Sequence, residues 1–375
     1  MLKVFAGLVL FSGYFVSLFK LAGLPSSLPL IFLGPFLALP FTGKNISGRE
    51  LGFIFIIIIF LVQFLMNDSA LFWEGLKQSC FCFICFYILR NCSDATVLKA
   101  IKPIVIMCLI LAVTGLFQVI GIEPFASFSP LPNSDFIGSG GFGSISLIRP
   151  NFALGNSINT GSFFVLSIFL LLYGWVEFRG PYPLVILFIF LLAIVLTISR
   201  SAFIGVLLIM PLVIERIGKR KAVFLIGSLV AISYKWIAFI FMRFFDSSYR
   251  IGSDNERLEI FLNFRNAFEY QTILLGNTNL GEAFKITDGM IFYNILSIGL
   301  LSSLIYFILI IGPSSLKKGN GFRYFTLLVI FCFFSTINNS LHAFYNLFLL
   351  IFTLRLMSCT FPTRSYSPFL MGKNI

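Results

Sequence analysis

Apolar stretches of about 17–25 residues, each long enough to cross a bilayer as one helix, recur along this chain from end to end. No other feature restricts the fold so tightly. Hydrocarbon offers no water to backbone groups, so a run of this kind must satisfy its N–H and C=O groups internally, as a helix does. The runs predict twelve spans: 4–19, 24–42, 51–66, 71–89, 103–122, 155–176, 182–198, 201–214, 222–241, 289–311, 323–337 and 341–357. Pro25, Pro29, Pro35 and Pro40 interrupt the second, and the short pair 182–198 and 201–214 flanks Arg200. Only 11% of the 375 residues are charged, against about 25% in a soluble domain. No stretch is long enough for a separate soluble domain. The expected architecture is an all-α integral membrane protein, one polytopic domain over 1–375, with two larger outer loops at 123–150 and 246–288.

Basic residues orient such a chain, because short cytoplasmic loops collect Lys and Arg. One set of loops holds Lys44, Arg49, Arg90, Lys99, Lys102, Arg179, Arg216, Lys219, Arg220, Lys221, Lys317, Lys318 and Arg323. With Arg364 and Lys373 in the tail, these form one consistent side, which is expected to be cytoplasmic with both termini inside. The net charge of +12 follows from this topology and does not point to nucleic acid. The segment 1–21 reads as an uncleaved signal-anchor. Four of the seven cysteines, Cys80, Cys82, Cys85 and Cys92, share one apolar run. With no second CxxC to pair with Cys82-Phe-Ile-Cys85 and no neighbouring histidine, they read as small buried hydrophobes, not as metal ligands or disulfides.

The opposite side should be poor in arginine, yet it carries Arg149, Arg200, Arg243, Arg250, Arg257 and Arg265. Arg243 and Arg265 read as solvated or lipid-contacting charges. The other four sit in distinctive surroundings. Arg149 precedes Pro150-Asn151-Phe152 at the mouth of a span whose first turns carry Asn156, Asn159 and Thr160, groups suited to sugar hydroxyls or to helix capping. Arg200 lies within Ser-Arg-Ser-Ala-Phe-Ile-Gly at 199–205, between two apolar runs, where a permanent charge is expensive to place. Arg250 and Arg257 flank a capping box, Ser253 with Glu256, that opens an amphipathic helix over about 254–270 on the outer surface. An arginine there disfavours the helix dipole but joins it in attracting phosphate. Asp288 begins the next span, as a cap or as a group that orients a hydroxyl. His342, the single histidine, follows Asn338-Asn339-Ser340 at the outer end of the last span.

In order and spacing these features resemble the O-antigen polymerase/ligase superfamily of polytopic envelope proteins. The ordered set is Arg149-Pro-Asn-Phe, Ser199-Arg200-Ser-Ala-Phe-Ile-Gly205, Glu256-Arg257, Leu275-Gly276 and Asp288…Tyr293-Asn294…Gly299-Leu300, covering 149–311. In the ligase branch the last motif usually opens with a histidine beside an asparagine. Here Asp288-Gly289 stands there, which favours a repeat-unit polymerase of the Wzy type.

That resemblance implies a GT-C-like membrane fold in the bacterial inner membrane with a periplasmic site. It implies a donor glycan on undecaprenyl pyrophosphate and a lipid-linked repeat unit as acceptor, with inversion at the anomeric carbon. Arg200, Arg257 and Asp288 are then the catalytic candidates. Arg149, Arg250, Asn151, Asn156, Asn159 and His342 are the candidates for holding pyrophosphate and sugar. No cofactor is implied. With no Asp-x-Asp in the chain, arginine is expected to carry the charge in place of a metal. A chain-length regulator and a flippase are the implied protein partners. The rivals are a ligase of the same superfamily and a twelve-span secondary transporter. A transporter would show two similar halves with helices broken at mid-membrane.

Overall fold

The computed structural model describes residues 2–12, 46–66, 70–122, 150, 152, 154, 157–178, 180–245, 258–259, 261–265, 268, 273–274, 276, 290–312, 320–337 and 343–359. Among them all regular structure is helical. The helices are α1 (Leu2–Leu10), α2 (Gly48–Met66), α3 (Ala70–Asn91), α4 (Asp94–Ile120), α5 (Ser157–Tyr173), α6 (Tyr182–Leu196), α7 (Arg200–Ile217), α8 (Lys219–Phe245), α9 (Met290–Ile298), α10 (Leu300–Ile311), α11 (Gly321–Ile337) and α12 (Phe344–Ser358), with a 3-10 turn at Trp175–Glu177. Each predicted span from 51–66 onward falls on a helix, but 289–311 is divided between α9 and α10. The predicted span 4–19 overlaps α1, and 24–42 lies outside the described residues. By length and composition, Asp94–Ile120 and Lys219–Ala238 can cross a membrane, and five further apolar helices are shorter.

Local chemistry sets several boundaries. The Ser93 hydroxyl accepts from the Thr96 N–H at 3.3 Å, and Asp94 sits in the first turn of α4, where a negative charge suits the helix dipole. At the other end Gly121 takes φ +78°, while its N–H and that of Ile122 return to Gln118 and Phe117 carbonyls, a left-handed stop. Helix α7 begins likewise at Ser199, whose hydroxyl accepts from the Ala202 N–H at 3.3 Å. Between α9 and α10 the apolar run is continuous in sequence, yet Gly299 turns to φ +85° and ends the first helix.

Helix α5 is the hub. It packs against α4, α6, α7 and α12, and Phe163, Phe164, Val165, Leu166, Ser167, Ile168, Phe169, Leu170 and Leu171 are all buried. A helix apolar on every side belongs inside a bundle. Its polar side chains turn back on the backbone: the Ser167 hydroxyl donates to the Phe163 carbonyl at 2.8 Å. Gly161 allows the closest approach, since a Cβ there would lie 2.4 Å from Ala202 Cβ.

The ends of the bundle differ. At one end Arg90 pairs with the buried Glu50 at 3.0 Å, and Arg355 pairs with Asp94 at 2.7 Å while donating to the Leu89 and Cys92 carbonyls. Arg49 donates to the Gly312 carbonyl and lies 4.8 Å from the Phe86 ring. These contacts gather the start of α2, the end of α3, the start of α4 and the ends of α10 and α12. Arg49 and Arg90 of the predicted basic set therefore lie at one end of the bundle, where they and Arg355 close helix ends. Outward-facing apolar side chains are numerous, among them Leu51, Phe55, Ile58, Val223, Phe224 at 77% exposure and Ile232.

Gly161→Val is expected to destabilise the protein by about 1–3 kcal/mol through overpacking of α5 on α7, read as a lower Tm in detergent. Gly227→Ala, whose Cβ meets open space, should leave Tm unchanged or raise it.

Candidate functional site

Away from the basic end, the first turns of α5 and α7 meet. Besides Ala202, a Cβ on Gly161 would sit 3.5 Å from both Ser199 Cβ and Thr197 Oγ1. Asn159 lies just before this contact and Arg200 is the first residue of α7. Arg200 is half-buried, and the positive end of α7 adds to its charge. The turn that delivers it is strained: Ile198, a β-branched residue, takes φ +51°, a conformation such residues seldom adopt. Its N–H closes onto the Val195 carbonyl at 3.0 Å, and Ser199 and Ser201 share a hydrogen bond of 3.0 Å.

Asn159 is held from behind by α12. The Asn346 amide donates to the Asn159 carbonyl at 3.1 Å and to the Ser162 hydroxyl at 3.2 Å. The Ser162 hydroxyl donates to that same Asn159 carbonyl at 3.0 Å. The neighbouring Tyr345 donates to the Leu154 carbonyl. Arg200 and Asn159 are thus carried on two rigid helix starts that touch.

The approach to α5 is anchored by Pro150 and Phe152 of the motif together with Leu154 and Gln118, which the sequence did not single out. Pro150, Phe152 and Leu154 are buried. The Phe152 N–H donates to Gln118 Oε1 at 2.9 Å. Its ring fills the notch left by Gly115 and meets Phe164 edge-on at 5.0 Å between centroids. Phe152 also takes a positive φ, +54°. Within the Arg149-Pro-Asn-Phe motif, proline and phenylalanine are therefore structural fasteners. The signal available in sequence was their alternation with Leu154.

A third piece is the α9–α10 break. A Cβ on Gly276, itself at φ +66°, would lie 2.5 Å from the Gly299 nitrogen and 2.6 Å from the Ile298 nitrogen. Gly276 is seated backbone to backbone on the break. Residues 258–259 and 261–265 are helical, as expected for the amphipathic segment, and Leu258, Phe261 and Leu262 are exposed. Phe264 packs against Phe292 of α9 at 4.7 Å between ring centroids. Arg265 is exposed, in keeping with a solvated charge. Asn294 is 1% exposed, and its amide nitrogen has no hydrogen-bond partner.

Of the residues singled out from sequence, Arg200 and Asn159 lie on two helices whose first turns pack together. Arg149, Asn151, Asn156, Arg250, Arg257, Asp288 and His342 lie outside the described residues. Among the described residues no group of three or more His, Cys, Asp and Glu is arranged to hold a metal ion. Compared with known proteins, the chain matches no family model, no curated relative and no solved structure.

Gln118→Ala leaves the buried Phe152 N–H without its acceptor, which costs about 1–3 kcal/mol. A lowered Tm in detergent, without loss of helical circular dichroism at low temperature, is the expected outcome.

Proposed function

We propose that the protein is a polytopic membrane glycosyltransferase that polymerises polysaccharide repeat units. The observation that carries this is Arg200, a permanent cation at the first residue of α7, packed start to start with the helix that bears Asn159. The ordered motifs over 149–311 support the same assignment. The seating of Gly276 on the Gly299 break adds that two distant members of the set share a location. Membrane residence is supported by the apolar helices and by the exposed apolar surface, since patches of this extent are unusual on a soluble monomer.

In the proposed reaction the growing glycan is attached through its anomeric carbon to undecaprenyl pyrophosphate. A hydroxyl of the lipid-linked repeat unit attacks that carbon, the new glycosidic C–O bond forms with inversion, and the bond to pyrophosphate breaks. The hydroxyl proton leaves with the departing group or through Asp288, the proposed base. Negative charge grows on the pyrophosphate, where guanidinium forks are well matched to phosphate oxygens. Arg200 fills this role with Arg149, Arg250 and Arg257, and Asn159 orients sugar hydroxyls. Fixed cations aimed at developing charge are an effective means of lowering such a barrier. The site is placed on the periplasmic face of the inner membrane, opposite the arginine-closed basic end. A chain-length regulator and a flippase are the proposed partners.

One observation favours a second reading. The α9–α10 break, with buried Asn294 beside it, is a device that secondary transporters use at their binding sites. Deletion of the gene separates the possibilities. A polysaccharide ladder collapsing to core plus one repeat unit supports the polymerase. Loss of all attached repeats with lipid-linked polymer accumulating supports the ligase. An unchanged ladder sinks both and leaves the transporter.

In complementation, Arg200→Ala at normal membrane abundance should lower polymerisation by about 10²–10³-fold, as for removal of one preorganised charge-stabilising group. Arg200→Lys, which keeps the charge but not the fork, should fall in between. Polymerisation by purified protein should persist in excess EDTA.

A further inference from the structure

At the basic end, α5, α7 and α11 border a small, partly open recess, lined by Phe169, Leu172, Tyr173, Leu212, Arg216 and Arg323. Three of these side chains are apolar and form its floor, and two are arginines brought from distant parts of the chain. The Arg323 guanidinium lies 5.1 Å from the Tyr173 ring centroid, and that of Arg216 lies 5.8 Å from the Trp175 ring centroid. The Tyr173 hydroxyl donates to Asn320 Oδ1 at 3.4 Å, and the Asn320 amide donates to the Met357 carbonyl at 3.0 Å. The start of α11 is thereby fixed to α5 and α12, so Arg323 is delivered to the recess by a braced element.

The two cations repel. Burial, and after it the Arg323 charge, pushes the Arg216 guanidinium below its usual range, while Glu215 acts in the opposite sense. Facing one void with two guanidinium forks above apolar side chains suits one ligand chemistry: a phosphate oxyanion, which two arginines bind by paired N–H···O bonds. Around the recess, Lys102 sits over the Phe178 ring and Lys219, Arg220 and Lys221 are exposed. Basic side chains at a bilayer surface draw anionic headgroups. We propose that this recess is a phosphate site in which Arg216 and Arg323 share one oxyanion, presented by a phospholipid headgroup or by free phosphate. It lies at the opposite end of the bundle from Arg200 and does not depend on the sugar-transfer assignment.

The test uses the full-length protein in detergent. Tm is measured with added phosphatidylglycerol, with phosphatidylcholine, and with inorganic phosphate at matched ionic strength, for wild type, Arg216→Gln/Arg323→Gln and Arg220→Gln. A rise of several degrees with phosphatidylglycerol, absent from the double variant and kept in Arg220→Gln, is the expected result and assigns the ligand as lipid. An equal rise with inorganic phosphate, lost in the same double variant, also supports the site and assigns the ligand as free phosphate. Equal loss in Arg220→Gln, or no difference between any anion and phosphatidylcholine, overturns the proposal. If the double variant does not fold, Arg216→Lys and Arg323→Lys take its place. Retained charge with weakened binding supports the paired forks, and unchanged binding overturns them.

Discussion

The complete burial of α5 is the constraint on which the remaining structure depends. From Thr160 to Leu171 the helix presents side chains that must be covered on every side, and α4, α6, α7 and α12 cover them. Backbone hydrogen bonds close within the helix, and Ser167 returns its hydroxyl to the helix itself. Close packing of such a core leaves little room to slide, because shifts of a methylene are already felt. The N-terminus of α5 therefore has a fixed position, and so does the turn that brings Arg200 against it. Positional accuracy at the candidate site is a property of the core, not of the loops around it.

Charge is used in two different ways at the two ends. At the basic end Arg49, Arg90 and Arg355 are tied to carbonyls and carboxylates that finish neighbouring helices. Exposed ion pairs contribute little, but Glu50 is buried, and loss of Arg90 would leave its carboxylate without its ion-pair partner, held by the Ser47 N–H at 2.6 Å. At the opposite end Arg200 stands on a strained turn, with Ile198 and nearby Phe152 the non-glycine residues of positive φ among those described. Strain of about 1–3 kcal/mol per residue persists where the surroundings over-determine it, often at functional sites. Both strained residues flank the region proposed for sugar transfer.

Much of the helical plan was legible in the sequence, because an apolar run in hydrocarbon has few conformational options. The exception, 289–311, shows why the rule is incomplete. Gly299 lies in an unbroken apolar run, and a lone glycine there is equally compatible with a continuing helix; only its partner Gly276, remote in sequence, requires the break. The same distinction governs the site. Arg200 was conspicuous as a charge between two apolar runs, a local signal. Gln118 with Phe152, Tyr345 with Leu154 and Asn346 with Asn159 are long-range pairs, and no window of sequence contains both partners. Arg216 and Arg323 read singly as topological charges, and their shared recess exists only after α7 and α11 have packed.

The contact of Gly276 with Gly299 has a consequence for how mutational data on this protein should be interpreted. It is made by backbone alone, at a separation that excludes any Cβ, and both residues hold φ values that other residues avoid. A saturation survey would therefore rank Gly276 as intolerant as Arg200, although it offers no functional group to a substrate. Intolerance at the glycine would extend equally to every replacement, whereas intolerance at an arginine that binds phosphate would be graded by charge. The shape of the substitution profile, more than its depth, distinguishes the joint from the chemistry it positions.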